Sequence, residues 1–205
     1  MPPNENQVGT DPSDRPRLVV GITGSSAPHY GIHLLRSLHE LGSVEIHLVM
    51  SDQGRENTKI EAGIDPASIT GLADVVHDPR DYAAAISSGS FLTMGMAIAP
   101  CSMSTLASVA NGITSNLLVR AADVTLKERR RLVLVPRETP LSLVHLRNMV
   151  AVTEAGATVL PPMPAFYHDP RTIDDLIAQT TGKILDQFGI RHHLFKRWRE
   201  EPDLG

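Results

Sequence analysis

The sequence predicts a single α/β domain in three layers, with a parallel sheet between two layers of helices. Short apolar runs alternate with longer segments whose apolar residues recur at helical spacing. That alternation demands crossover connections and a sheet covered on both faces. The chain of 205 residues is long enough for one domain with a substantial core. Its 41% hydrophobic and 20% charged residues are ordinary for a globular protein.

The elements follow in order. "MPPNENQVGTDPSDRPR" is polar and Pro-rich and has no apolar segment of a signal peptide, so residues 1–16 are expected to be a disordered arm. The folded domain is expected over 17–190, with a polar tail over 191–205. Leu18 to Thr23 is a buried strand. Ile32, Leu35, Leu38 and Leu41 recur at about helical spacing, predicting a helix from His29 to Leu41 that Gly42 ends. Val44 to Ser51 is a second strand, and residues 52–62 are helical. The stretch from Ile64 to Ser90 is a mixed linker with a short helix and a short strand. Met94 to Pro100 is a buried strand, and a helix of small residues starts in "CSMSTLASVANG". "KERRR", Lys127 to Arg131, has the form of a solvated turn before the strand Arg131 to Pro136. A helix covers about Leu141 to Ala155, with Leu143, Leu146, Met149 and Val150 on one face. Ala157 to Leu160 is a short strand, and Thr172 to Phe188 is a last long helix.

Several function classes are excluded. The net charge of −4 shows no basic surface for nucleic acid. No run of about 18 apolar residues spans a bilayer. The single cysteine, Cys101, allows no internal disulfide and no Cys-based metal framework, in keeping with a cytoplasmic, reducing location. Burial, not nucleophilic chemistry, is the expected role of Cys101. His29 and His33 stand four apart, a metal-ligand spacing, but no third ligand accompanies them. His192 and His193 in the tail are expected at the surface.

Ligands in parallel sheets gather at the carboxyl ends of the strands. Here those ends lead into "TGSS", "SDQG", "PCSMST" and "PRETPL", all polar or bearing Gly or Pro. Gly24, Ser25 and Ser26 bring small backbone and hydroxyl donors to a helix start, where free amides favour an anion. The turn is neither a dinucleotide G-x-G-x-x-G nor a Walker A loop. The hydroxyls of Ser102, Ser104 and Thr105 form a second cluster. Each cluster alone is equally a helix cap; together they predict a shared phosphate or ribityl site. Arg137 and Glu138, just past a buried strand, are either a surface ion pair or a phosphate clamp beside a proton-handling carboxylate.

The stretches "TGSSAPHYG", "ISSGSF", "PCSMSTLASVANG", "NLLVRAADVTLKERRRLVLVPRETPL", "HLRNM" and "PPMPAFYHDP" resemble the bacterial flavin prenyltransferases of the UbiX family, from about Arg17 to Ile190. The resemblance implies a Rossmann-like, flavodoxin-like fold, assembly into dodecamers, and binding of reduced FMN and dimethylallyl monophosphate. It implies metal-independent transfer of the prenyl group to flavin N5 and C6. The product, prenylated FMN, serves UbiD-type decarboxylases. Gly24, Ser25, Ser26, Ser51, Ser102, Met103, Ser104, Thr105 and Arg137 match flavin contacts. Ser26 matches the functional serine near N5, Glu138 the catalytic glutamate, and Glu61 an acid near subunit junctions. Arg120, Lys127, Tyr167 and Lys183 match groups around the prenyl phosphate, with Lys127 counted among the catalytic set. Without a metal, such cations and a Tyr hydroxyl neutralise the leaving phosphate.

Four departures stand out. Ala27 and Pro28 replace a Gly-Ala pair, Lys183 stands where an arginine is found, Ser104 where many relatives have lysine, and "GITSNL" replaces a Gly-Tyr run. If the replaced glycine needs a positive φ, Ala27 is strained. Two alternatives are a flavin-dependent cysteine decarboxylase, whose Asn-rich loop "PCSMST" does not match, and an FMN-carrying accessory subunit of a decarboxylase.

Overall fold

A computed structural model describes residues 15–199. The expected N-terminal arm up to residue 14 and the end of the tail from residue 200 lie outside the described residues. The chain forms a six-stranded sheet in the order β3-β2-β1-β4-β5-β6, with β1 Arg17–Ile22, β2 Glu45–Met50, β3 Val75–His77, β4 Gly95–Cys101, β5 Arg131–Pro136 and β6 Thr158–Val159. Every pairing is parallel. The order reverses between β1 and β4, and in such sheets the crevice at that switch point takes the ligand.

Alternation along β1 builds two cores. Leu18, Val20 and Ile22 point to one face, where helix α1 (His29–Leu41) and α7 (Ile173–Gln187) pack. Val19, with Met96 and Ile98 of β4, points to the other face. There α4 (Met103–Ala110), α5 (Leu117–Lys127) and α6 (Leu143–Glu154) cover the sheet. Helix α1 has the bounds that the sequence predicts and ends at Gly42 with φ +60°. A Cβ on Gly31 would stand 2.2 Å from the Ala99 carbonyl oxygen, so this glycine lets α1 lie against β4. Helices α2 (Asp52–Ala62) and α3 (Pro66–Thr70) join β2 to β3. Among the described residues, no helix is long and apolar enough to cross a membrane.

Three features differ from the sequence reading. Helix α5 was not expected, although Asn116 caps it and Leu117, Leu118, Ala121, Ala122 and Val124 bury at helical spacing. The apolar face of α6 is exposed: Leu143 is 60%, Leu146 45% and Val150 57% accessible. Only Met149 of that set packs on the core. His192, expected at the surface, is buried; its ring meets Asp186 of α7 at 3.1 Å. His193 is exposed as expected.

Candidate functional site

The turn after β1 is fixed from both sides. Helix α2 runs beside it, and three residues one helical turn apart meet successive residues of the turn. The Gln53 Cβ lies so close to Gly24 that a Cβ there would approach it to 2.3 Å. The Asn57 side-chain amide donates to the Ser25 carbonyl at 3.2 Å. Glu61 Oε2 accepts from the Ser26 hydroxyl at 2.9 Å and from the Ala27 amide at 2.8 Å. On the other side, the Ser25 hydroxyl donates to the Arg137 carbonyl at 2.7 Å, tying the turn to the end of β5. Ala27 has φ +65°, the left-handed conformation that a glycine would adopt freely. The amides of Gly24, Ser25 and Ser26 have no partner among the described residues.

Thr23 joins this turn to β4. Its hydroxyl donates to the Pro100 carbonyl at 2.9 Å and accepts from the Ser102 amide at 2.7 Å. Ser102 in turn caps α4, accepting from the Thr105 amide, while its hydroxyl meets those of Ser104 and Thr105. Ser51 caps α2 in the same way, accepting from Gly54 at 3.0 Å. So the hydroxyls are both caps and walls. Together with Gly24, Gln53, Ser108, Ser115, Asn116 and Val119, they line a cleft of about 230 Å³ at the switch point. Met103 begins α4 and packs inward. The cleft is neutral and rich in hydroxyls, and Ser51, Ser102 and Asn116 along it cap the starts of α2, α4 and α5; Ser25, Ser26, Met103 and Arg137 are not among its lining residues. That donor set suits a phosphate and a polyol chain. The sequence reading missed Thr23, Gln53, Ser108, Ser115 and Asn116. The signal for Asn116 was its place just before an apolar helical pattern, and for Gln53 its spacing from Asn57 and Glu61.

Arg137 is half-buried. Burial pushes the Tyr30 hydroxyl pKa up, and the charge of Arg137 acts against that. Glu138 is exposed, and its carboxylate accepts from the Thr139 amide at 3.0 Å. In the single chain the run from Glu138 to Val144 is exposed, directly after the buried strand and the half-buried Arg137. Cys101 is fully buried, and burial raises its thiol pKa far above the usual range.

The residues expected around a second phosphate are not brought together within one chain. Lys127 ends α5 beside Glu128 and Gly89, near the start of β5 and so at the amino edge of the sheet. Arg120 lies two turns earlier on the same helix face, bound to Asp123 at 2.7 Å and to the Ser87 carbonyl at 3.2 Å. Lys183 lies on α7, across the sheet from α5. Tyr167, 43% exposed, meets the rings of His168 and Trp198 edge-on. Both ring nitrogens of His168 are buried without a hydrogen-bond partner. Among the described residues, no group of His, Cys, Asp and Glu side chains is arranged to hold a metal ion. His33 instead meets Thr181 at 2.9 Å, joining α1 to α7.

Comparison with known proteins places this geometry in a family. The Flavoprotein family profile matches residues 7–185. The flavin prenyltransferase UbiX of Salmonella typhimurium is 53% identical over 185 residues, 89% of this chain and 98% of that protein. The crystal structure of AnUbiX (PadA1) in complex with FMN and dimethylallyl pyrophosphate superposes with a TM-score of 0.89 at 49% identity, covering 92% of this chain and 100% of the other. A dodecameric FMN-dependent UbiX-like decarboxylase from Escherichia coli O157:H7 gives 0.87 at 48% identity, covering 90% and 100%. With half of its residues shared along nearly the whole fold, and with a hydroxyl-lined cleft at the switch point of its sheet, this chain belongs to the UbiX family of flavin prenyltransferases.

Proposed function

We propose that the chain transfers the dimethylallyl group of dimethylallyl monophosphate to reduced FMN at N5 and C6, making prenylated FMN for a UbiD-type decarboxylase. One observation carries this reading: a hydroxyl-lined cleft reaches Gly24, the first residue of a turn in which the amides of Gly24, Ser25 and Ser26 have no partner among the described residues and Ser26 is bound to a carboxylate, Glu61. The reduced flavin supplies the nucleophilic N5 and C6 atoms; the protein supplies placement and charge. The Gly24–Ser26 amides and the hydroxyls of Ser51, Ser102, Ser104 and Thr105 hold the FMN phosphate and its chain, with Met103 and Arg137 along the ring. Ser26 and Glu61 form a polar pair beside the reacting edge.

The allylic C–O bond breaks as inorganic phosphate leaves. Lys127, Arg120, Lys183 and the Tyr167 hydroxyl stabilise that charge as a metal would elsewhere. The first bond joins the allylic carbon to N5, whose proton passes to the departing phosphate. For the second, the phosphate returns a proton to the alkene, the tertiary carbon so formed bonds C6, and the proton that C6 then loses goes to the phosphate or to Glu138. Since Lys127 and Lys183 of one chain face opposite sides of the sheet, one phosphate meets both only where copies of the chain meet. This supports a homo-oligomeric enzyme, and a dodecamer is the assembly in the E. coli relative. A neighbour also gives the exposed Glu138 a surface to face. The lone Cys101, buried and unpaired, is in keeping with a cytoplasmic location.

The test is mass spectrometry of the flavin after anaerobic incubation with reduced FMN and either the monophosphate or the diphosphate donor. Prenylated FMN from the monophosphate is expected, and unchanged FMN with both donors would overturn the reading in favour of an accessory subunit. Lys127→Ala and Tyr167→Phe are expected to weaken donor use and leave FMN binding nearly intact.

A further inference from the structure

Asp186 sits in the last turn of α7, where a carboxylate opposes the helix dipole. It is held there by cations. Arg197 grips both of its oxygens, at 3.1 and 2.6 Å. The His192 Nε2–H donates to it at 3.1 Å, while His192 Nδ1 accepts from the Leu194 amide at 3.3 Å, which fixes the tautomer. Lys183, one turn back on α7, reaches it at 3.6 Å. Burial alone would raise the Asp186 pKa, but the bonds from Arg197 and His192 outweigh it and hold the carboxyl below its usual range.

The segment 191–199 therefore runs back along α7 as a strap. A notch receives it: a Cβ on Gly182 would stand 2.4 Å from the Phe195 ring and 2.6 Å from His192. This accounts for a glycine inside a helix, where it costs about 1 kcal/mol against alanine. Beyond the notch, Phe195 faces His168 with ring centroids 6.2 Å apart, and Trp198 meets Tyr167 at 5.6 Å. Asp186 thus touches Lys183 directly and Tyr167 through the strap.

We propose that Asp186 is a positioning residue for the prenyl donor: by clasping the 191–199 strap to α7 it fixes both Lys183 and Tyr167, the phosphate-side groups on this half of the chain. This rests on the proposed function above. Arg197 has a second consequence. By taking up both carboxylate oxygens, it leaves the more exposed Lys183 ammonium able to turn to a phosphate while Asp186 stays neutralised.

The experiment uses the full-length protein and Trp198, the single tryptophan of the chain, as a fluorescent reporter of the strap. Asp186→Asn keeps the size and removes the charge. Its expected signature is lower Trp198 anisotropy and a KM for dimethylallyl monophosphate raised about tenfold, the loss of one charge-assisted contact, with FMN affinity unchanged. Gly182→Ala, which lifts the strap and leaves Asp186 in place, is expected to give the same pair of changes and carries the test if Asp186→Asn does not fold. An unchanged KM in active variants, even with lowered thermal stability, would mean that the clasp is structural only and overturns the proposal. So would a raised KM with unchanged anisotropy. A wild-type protein that makes no prenylated FMN fails earlier and differently: it removes the proposed function, and the donor role of Asp186 with it.

Discussion

At the scale of residues, Ala27 shows how a site sets a local cost. Its φ of +65° is the conformation that an L side chain avoids, at about 1–2 kcal/mol. The Glu61 carboxylate that binds its amide and the Ser26 hydroxyl holds it there. Ala27→Gly relieves the strain but loosens the unfolded chain, at about 0.4–1 kcal/mol. The expected net effect is a slightly more stable protein, with Tm up by about 2–4 °C per kcal/mol gained, read by calorimetry. His33 gives a pH dependence. Burial between α1 and α7 holds its imidazole pKa below the usual 6.5, with Arg36 adding to this and Asp174 and Glu40 opposing it. His77 is lowered in the same direction by burial and by His47. The folded state thus binds fewer protons than the unfolded one, so this stability is present above pH 6.5 and is lost as pH falls through the lower folded values. Thermal melts from pH 7 to 5 should fall steadily, and His33→Asn should flatten part of that slope.

At the scale of elements, α2 is less a connector than a backing plate for the turn. Gln53, Asn57 and Glu61 make that contact because the helix approaches β1 closely at Gly54, where a Cβ would lie 2.6 Å from the Ile22 carbonyl oxygen. Gly54→Ala is therefore expected to push the whole stripe away, costing about 1–3 kcal/mol as overpacking against backbone. FMN binding should weaken with it, measurable by flavin fluorescence titration. The Thr23 hydroxyl does the equivalent work between β1 and α4. Thr23→Val keeps the shape but leaves the Ser102 amide unpaired, at about 1–3 kcal/mol. Chemical denaturation would read that loss.

At the scale of the molecule, one chain has apolar surface to cover and a donor site to complete. Leu143, Leu146 and Val150 of α6, with Met163 and Phe166, are at least 45% exposed. Lys127 and Lys183 lie across the sheet from each other. Both features are expected to resolve in one assembly, with Lys127 and Lys183 of a given site coming from different copies. Lys127→Ala and Lys183→Ala proteins, each nearly inactive, should then regain activity when dissociated and reassembled together, to about a quarter of the sites for random mixing of copies. No recovery would place both lysines in one copy. Val150→Glu is expected to yield a smaller particle by light scattering and to lose prenyl transfer.

Much of this fold is legible in the sequence, because strands buried on both faces are continuous apolar runs and α1 carries a full helical stripe between Pro28 and Gly42. The local chemistry of each loop is legible for the same reason: hydroxyls before a helix are caps, and capped helix starts face the carboxyl edge of a parallel sheet. Helix α5 is less legible because much of its buried face is made of small or weakly apolar residues, Ala121, Ala122 and Thr125, between the charged Arg120, Asp123 and Lys127. Only the tertiary structure decides what meets across the chain. Spacing puts Gln53, Asn57 and Glu61 on one stripe of α2, but the stripe reaches the turn only because α2 lies along it. His192 reads as part of a polar tail, yet it is buried because Gly182 leaves room and Asp186 supplies a charge. The exposed α6 face reads as core from its composition. Periodicity reports that a helix has an apolar side; which surface covers that side depends on the arrangement of the other elements in space.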